Sequence, residues 1–171
     1  MRVLNVHKRI INQPLYKLER LLKTLATEND MVWPREQWPA MKFKQGLKVG
    51  ARGGHGPIRY FVEKNKPNEI LQFRFSKPYG FNGIHKFEMN ELTSEKTEIK
   101  HTVDMHTVGK GTLIWFLAIR SLHNSLIEEV FDKLENNFSE TKESIEWSFW
   151  VKFIRKQIAK KPCFRQSKTN F

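Results

Sequence analysis

Residues 50–60 read GARGGHGPIRY, with four glycines, two arginines and a histidine in eleven positions. A loop of this composition either cradles phosphate or turns the chain between two strands. That choice separates a nucleotide-binding α/β protein from an antiparallel one. A phosphate loop needs a Lys-Ser/Thr ending and a following helix whose N-terminus supplies free N–H groups. Neither is present: Pro57 opens the run IRYFVE, which alternates as a strand does. The glycines therefore permit a tight turn. His55, within it, is expected to be a solvent-exposed loop histidine.

Working outward, residues 2–12 are rich in Val, Leu and Ile and read as a strand. Asn12 and Pro14 mark a helix start, and Leu15, Leu18, Leu22 and Leu25 continue it at helical spacing. Two Trp-Pro pairs, Trp33-Pro34 and Trp38-Pro39, forbid a helix through the next segment. Beyond the glycine loop the pattern is all strand. PIRYFVEKN and ILQFRFS flank a KPNE turn, and IHKFEMNEL and TEIKHTVDMHTV flank LTSE. After Gly109 and Gly111 a long helix is expected from Thr112 to Phe138, with a stripe through Phe116, Ile119, His123, Leu126 or Ile127, Val130, Leu134 and Phe138. SIEWSFWVKFIRKQIAKK then reads as a separate short helix. Strand, short helix, a run of antiparallel strands and one long helix make an α+β layout, a curved sheet wrapped around a helix.

The 171 residues suit one domain, divided here into residues 1–138 and a basic amphipathic extension, 139–171. Cys163 is the only cysteine, which excludes an internal disulfide and cysteine-based zinc sites. The N-terminus has no long apolar run, and no stretch reaches the roughly 18 apolar residues of a membrane span. A soluble, cytoplasmic protein is expected. Net charge is +12 and uneven: residues 1–60 carry twelve basic and four acidic residues, and residues 139–171 eight and three. Such ends suit an anionic membrane or an acidic partner. The basic residues are scattered through elements without a nucleic-acid module, which makes nucleic acid an unfavoured partner.

The order of elements, together with GGHGPIRYFVE, PNEILQFRF, PYGFNGIHKFEM and the Trp147-Ser-Phe-Trp150-Val run, resembles the helix-grip superfamily of START-like lipid-binding, polyketide cyclase and plant pollen-allergen-like proteins, in a bacterial branch. The resemblance covers nearly the whole chain. It implies a deep, mostly apolar cavity between the concave face of the sheet and the long helix. It names no ligand, because that fold hosts binders, transporters and enzymes alike.

Within that frame three histidines stand out. At about 100° per residue His123 falls at the centre of the apolar stripe and Arg120 at its edge, so the resemblance makes His123 the polar group of the cavity and Arg120 a rim cation. Along the strands, His85 shares a face with Phe87 and Met89, and His101 with Val103 and Met105. A hairpin turn centred on Thr93 sets His85 opposite His101. Tyr60, Phe73, Phe116 and Ile127 complete the expected lining. The three histidines form a metal-ligand inventory without fixed spacing or an added carboxylate, so neither metal nor cofactor is assigned. They are also the candidates for acid–base catalysis, and no paired carboxylates are expected on an inward face. In the tail, Trp147, Trp150, Val151, Ile154 and Ile158 form one stripe, with Lys152, Arg155 and Lys156 on the other side. That helix either seals the domain or lies on a membrane through Trp147, Trp150, Ile154, Lys152 and Lys156.

Three functions follow as expectations. The favoured one is non-catalytic binding of a hydrophobic or amphipathic small molecule, lipid-like or polyketide-like, by burial around a few orienting polar groups. The others are a cyclase- or dehydratase-type enzyme using a cavity histidine, and a membrane-surface module led by the tail helix.

Overall fold

The computed structural model describes residues 1–142 and 144–159, so Cys163 and the rest of the chain beyond 159 lie outside it. The GARGGHGPIRY stretch is a hairpin. Strand β3 (Arg52–His55) turns at Gly56 and Pro57 into β4 (Ile58–Lys66). Gly56 takes φ +49°, left-handed backbone that glycine adopts without strain. The remaining strands are β1 (Arg2–Ile11), β2 (Lys42–Phe43), β5 (Ile70–Lys77), β6 (Phe81–Thr93) and β7 (Lys96–Thr107). All seven form one antiparallel sheet of order β1-β7-β6-β5-β4-β3-β2, so the first strand lies beside the last. Helix α1 (Leu15–Leu22) stops a turn earlier than Leu25, and its N-cap is Pro14, with no side-chain cap.

Period-two alternation decides which side chains enter the grip. On β7, Ile99, His101, Val103 and Met105 are all buried. On β1, Val3, Asn5, His7, Arg9 and Ile11 turn inward, while Leu4, Val6, Lys8 and Ile10 are exposed.

The long helix comprises α2 (Lys110–Ile114), a π-helical turn (Trp115–Ile119) and α3 (Arg120–Asn136). Bonding from i to i+5 through the π turn accommodates an extra residue. The inward position consequently moves to Trp115, which is 3% exposed, and Phe116 is carried outward to 62%. Phe116 and Arg120 were expected to line the grip. Both are exposed, because the stripe was projected with an uninterrupted α-helical period.

Two apolar clusters form the core. The larger gathers Leu18, Trp33, Trp38, Phe43, Tyr60, Phe73, Phe87 and the inward face of α3. The smaller gathers Val3, Phe81, Val103, Met105 and Trp115. Helix α4 (Phe149–Ala159) packs onto the larger cluster through Val151, and its Ile154 is also buried. Arg155 does not join the solvated face with the lysines. Its guanidinium lies between the rings of Trp38 and Trp147, 4.3 and 4.1 Å from their centroids, and donates to the Gln37 carbonyl. Among the described residues, no helix is long and apolar enough to cross a membrane.

Candidate functional site

Strand parity brings His85 and His101 to the same inward face, and α3 lays His123 over them. The hairpin register differs from the expected one. It turns at Ser94 and Glu95 with an irregularity between Glu91 and Thr93, so His85 faces Val103 and His101 faces Phe87. This displacement is two residues, which preserves the face. His85 and His101 are therefore diagonal neighbours, with ring centroids 5.7 Å apart.

These two belong to a longer row. His55 Nδ1 lies 2.9 Å from the Tyr60 hydroxyl. The Tyr60 ring meets His85 edge-on at 4.6 Å. His101 lies 5.0 Å from His123, and His123 lies 5.9 Å from His7. His7 Nδ1 then sits 2.6 Å from Glu128 Oε1. Five of the six histidines thus join β3, β6, β7, α3 and β1 across the interior; His106 alone is exposed on the outer face. His55 is not a free loop histidine, since Trp33 packs over its ring at 4.9 Å and Tyr60 takes its nitrogen.

The centre of the row leaves ring nitrogens unpaired. His85 Nε2, His101 Nδ1 and both His123 nitrogens are buried without a well-formed hydrogen bond among the described residues, although the Asn124 side chain acts on His123. Burial disfavours the imidazolium and holds His55 down at about 4, with the Arg59 charge assisting. Burial likewise brings His123 to about 3, with His7 and His55 adding and Asn124 opposing. His85 and His101 are pushed well below their ordinary value for the same reason, each disfavoured further by neighbouring histidines. Burial pushes the Tyr60 hydroxyl up. These are neutral imidazoles, each with one N–H and one lone pair to offer.

Around them the grip is apolar. Tyr60, Phe73, Phe87, Val103, Met105 and Ile127 are fully buried on the inward side. Tyr60 meets Phe73 at 5.1 Å, and Phe73 stacks on His85 at 4.8 Å. Packed rings lie in the region where the resemblance implies a deep, mostly apolar cavity. Met89 sits at the rim. With Leu22, Leu25, Leu47, Leu71 and Phe87 it lines a pocket of about 220 Å³ between α1 and the β4–β5 turn. Phe87 forms the wall between that pocket and His101, against which its ring lies edge-on at 4.6 Å.

A carboxylate cluster that the sequence reading missed lies where α3 meets the edge strand β1, partly exposed. Glu128, Asp132 and Glu135 occupy one face of α3 at spacings of four and three, opposite β1. Arg9 bonds all three, at 2.7, 2.5 and 2.7 Å. Burial alone would lower its pKa, but the bonds to Asp132 and Glu135 outweigh that and raise it. The visible signal was the Asn5-His7-Arg9 alternation and the acidic i, i+4, i+7 stripe; what the sequence lacks is their juxtaposition, since Arg9 and Glu128 are 119 residues apart. These carboxylates are spent on Arg9 and His7. Among the described residues, no group of three His, Cys, Asp or Glu converges as a metal site. In the tail, Ile154 is buried and Trp147 is half-buried against Trp38, while Trp150, Lys152 and Lys156 are exposed.

No protein-family model matches this chain, and no curated protein matches it. Solved structures do. A protein from Thermobifida fusca aligns at TM-score 0.63 and 10% identity, covering 85% of this chain and 99% of its own. Truncated norcoclaurine synthase from Thalictrum flavum aligns at TM-score 0.61 and 10% identity, covering 83% and 96%. A protein from Nitrosospira multiformis gives 0.60 and 13%, covering 82% and 97%. This is the helix-grip fold. At such identities the likeness fixes the architecture and leaves the chemistry to the residues of the site.

Proposed function

We propose that the protein binds a small amphipathic molecule with an uncharged polar head inside the grip. Its apolar part would lie against Phe73, Phe87 and Ile127, and its head would pair with His85, His101 and His123. The supporting observation is the set of buried imidazole nitrogens without a well-formed hydrogen bond. Each orphaned polar group costs about 1–3 kcal/mol, and a ligand group that pairs with it recovers that cost. An interior of this kind favours a hydroxyl or carbonyl over plain hydrocarbon. It also favours an uncharged head over a carboxylate, because Arg9, the cation beside the row, is held by three acidic side chains. The pocket lined by Met89 and Phe87 would supply the entrance, Phe87 being the wall between it and His101. A helix-grip neighbour, a norcoclaurine synthase point mutant, was solved with a transition-state analogue, which supports accommodation of a small molecule by such a fold. The acid–base reading has weaker support. A catalytic base works best with a pKa near the operating pH, and burial holds His123 at about 3.

The test is displacement of the uncharged dye Nile red by long-chain alcohols, aromatic ketones and the matching alkanes. Alcohols and ketones are expected to displace it at least about ten-fold better than alkanes, one paired polar group being worth about that factor. In His101→Leu/His123→Leu the preference should vanish while the melting temperature rises, since two unpaired polar rings are replaced by apolar ones. Equal displacement by alkanes, or a preference that survives in the double variant, would overturn the reading.

A further inference from the structure

The π turn that moves Phe116 outward also creates a surface the ligand reading does not use. Leu113, Phe116 and Leu117 are all more than half exposed on the first half of the long helix. On α4, Phe149 is 83% exposed, and Trp150 and Phe153 are exposed and stacked on one another at 5.5 Å. The two sets are joined: Trp150 Nε1 donates to the Leu117 carbonyl at 3.0 Å, within the stretch where π bonding departs from the ordinary helical ladder. The result is one aromatic and aliphatic face made from two helices.

Its charge is one-sided. Between Asp104 and Glu128 the chain has no acidic residue, and from Trp147 through Ala159 it has none either. Lys110, Arg120, Lys152 and Lys156 are exposed in these same segments. At about 100° per residue Lys152 and Lys156 lie immediately beside Phe149 and Phe153, opposite the buried Val151 and Ile154. Apolar rings flanked by lysines are the composition of an interfacial helix.

We propose that this face docks on an anionic lipid bilayer, Phe116, Leu117, Phe149 and Phe153 entering the headgroup boundary and the four cations meeting lipid phosphates. A second copy of the chain would set these cations against one another, whereas anionic lipid offers both phosphates to the cations and an apolar interior to the rings. The proposal stands on observations separate from those of the ligand site, and the two fail independently.

The experiment is flotation of the full chain with phosphatidylcholine vesicles prepared with and without phosphatidylglycerol, at low and high salt. Binding is expected only with phosphatidylglycerol, weakening as salt rises. Each cation near such a surface is worth roughly five-fold in partitioning, so Lys152→Glu/Lys156→Glu should weaken binding more than about twenty-fold. Phe116→Glu/Phe149→Glu should abolish it while the melting temperature and Nile red binding stay as in the parent, because neither ring is buried. Absence of binding to phosphatidylglycerol vesicles, binding unchanged in the phenylalanine variant, or sedimentation showing that this face instead joins two copies would each overturn the proposal.

Discussion

Acidification should unfold this protein through its histidines. Four of them, His55, His85, His101 and His123, are held neutral by burial, at about 4 for His55, about 3 for His123, and well below the ordinary value for the other two. In the unfolded chain each titrates near 6.5. Their folded values are depressed, so below about 6.5 the unfolded state takes up protons that the folded state refuses. Stability is complete above that pH, falls as the pH drops, and stops falling only at the folded values. Between about pH 7 and pH 5 each neutral ring forfeits about 2 kcal/mol, and four forfeit roughly 7–8 kcal/mol. That is comparable with the entire 5–15 kcal/mol of a typical domain. Urea denaturation followed by tryptophan fluorescence at a series of pH values measures it directly. The slope of stability against pH should correspond to about four protons near pH 5, and His123→Leu should reduce it by about one. Stability that changes by less than about 1 kcal/mol from pH 7 to pH 5 would refute the burial and neutrality of the row.

Two further predictions concern what holds the grip together. Arg9→Met leaves Glu128, Asp132 and Glu135 clustered without their cation, and about 2–3 kcal/mol should be lost in urea denaturation, allowing for partial solvent access; a loss below about 1 kcal/mol would contradict the network. Gly83→Ala places a Cβ against the Asp104 carbonyl and the Met105 backbone, where the strands cannot part without breaking their ladder. It should cost about 1–3 kcal/mol, read as a lowered melting temperature, and a neutral effect would show that β6 and β7 can shift at that point.

The architecture was legible because it rests on local periodicities. Alternation in IHKFEM and IKHTVDM put His85 and His101 on one face, and that survived a register displaced by two residues because two is the period of the strand. The turn in GARGGHGP was legible from glycine and proline together. The phase of the long helix was not: nothing in TLIWFLAIR distinguishes a π turn from an α turn, and one extra residue per turn was enough to exchange Phe116 for Trp115. Contacts between distant segments were hidden for a different reason. His55 is covered by Trp33, Arg155 is clamped between Trp38 and Trp147, and Arg9 reaches across to α3. Each residue taken alone looks like an ordinary solvated polar group, and only the closing of the chain brings its partner to it.

The central claim is that the unpaired imidazoles mark a binding site, and native mass spectrometry of gently purified protein, followed by extraction and identification of any released molecule, tests it most directly. The account predicts a stoichiometric amphipathic molecule with an uncharged polar head in the parent protein and its loss in His101→Leu/His123→Leu. A charged or wholly hydrocarbon molecule, or the same molecule retained at full occupancy by the double variant, would contradict it.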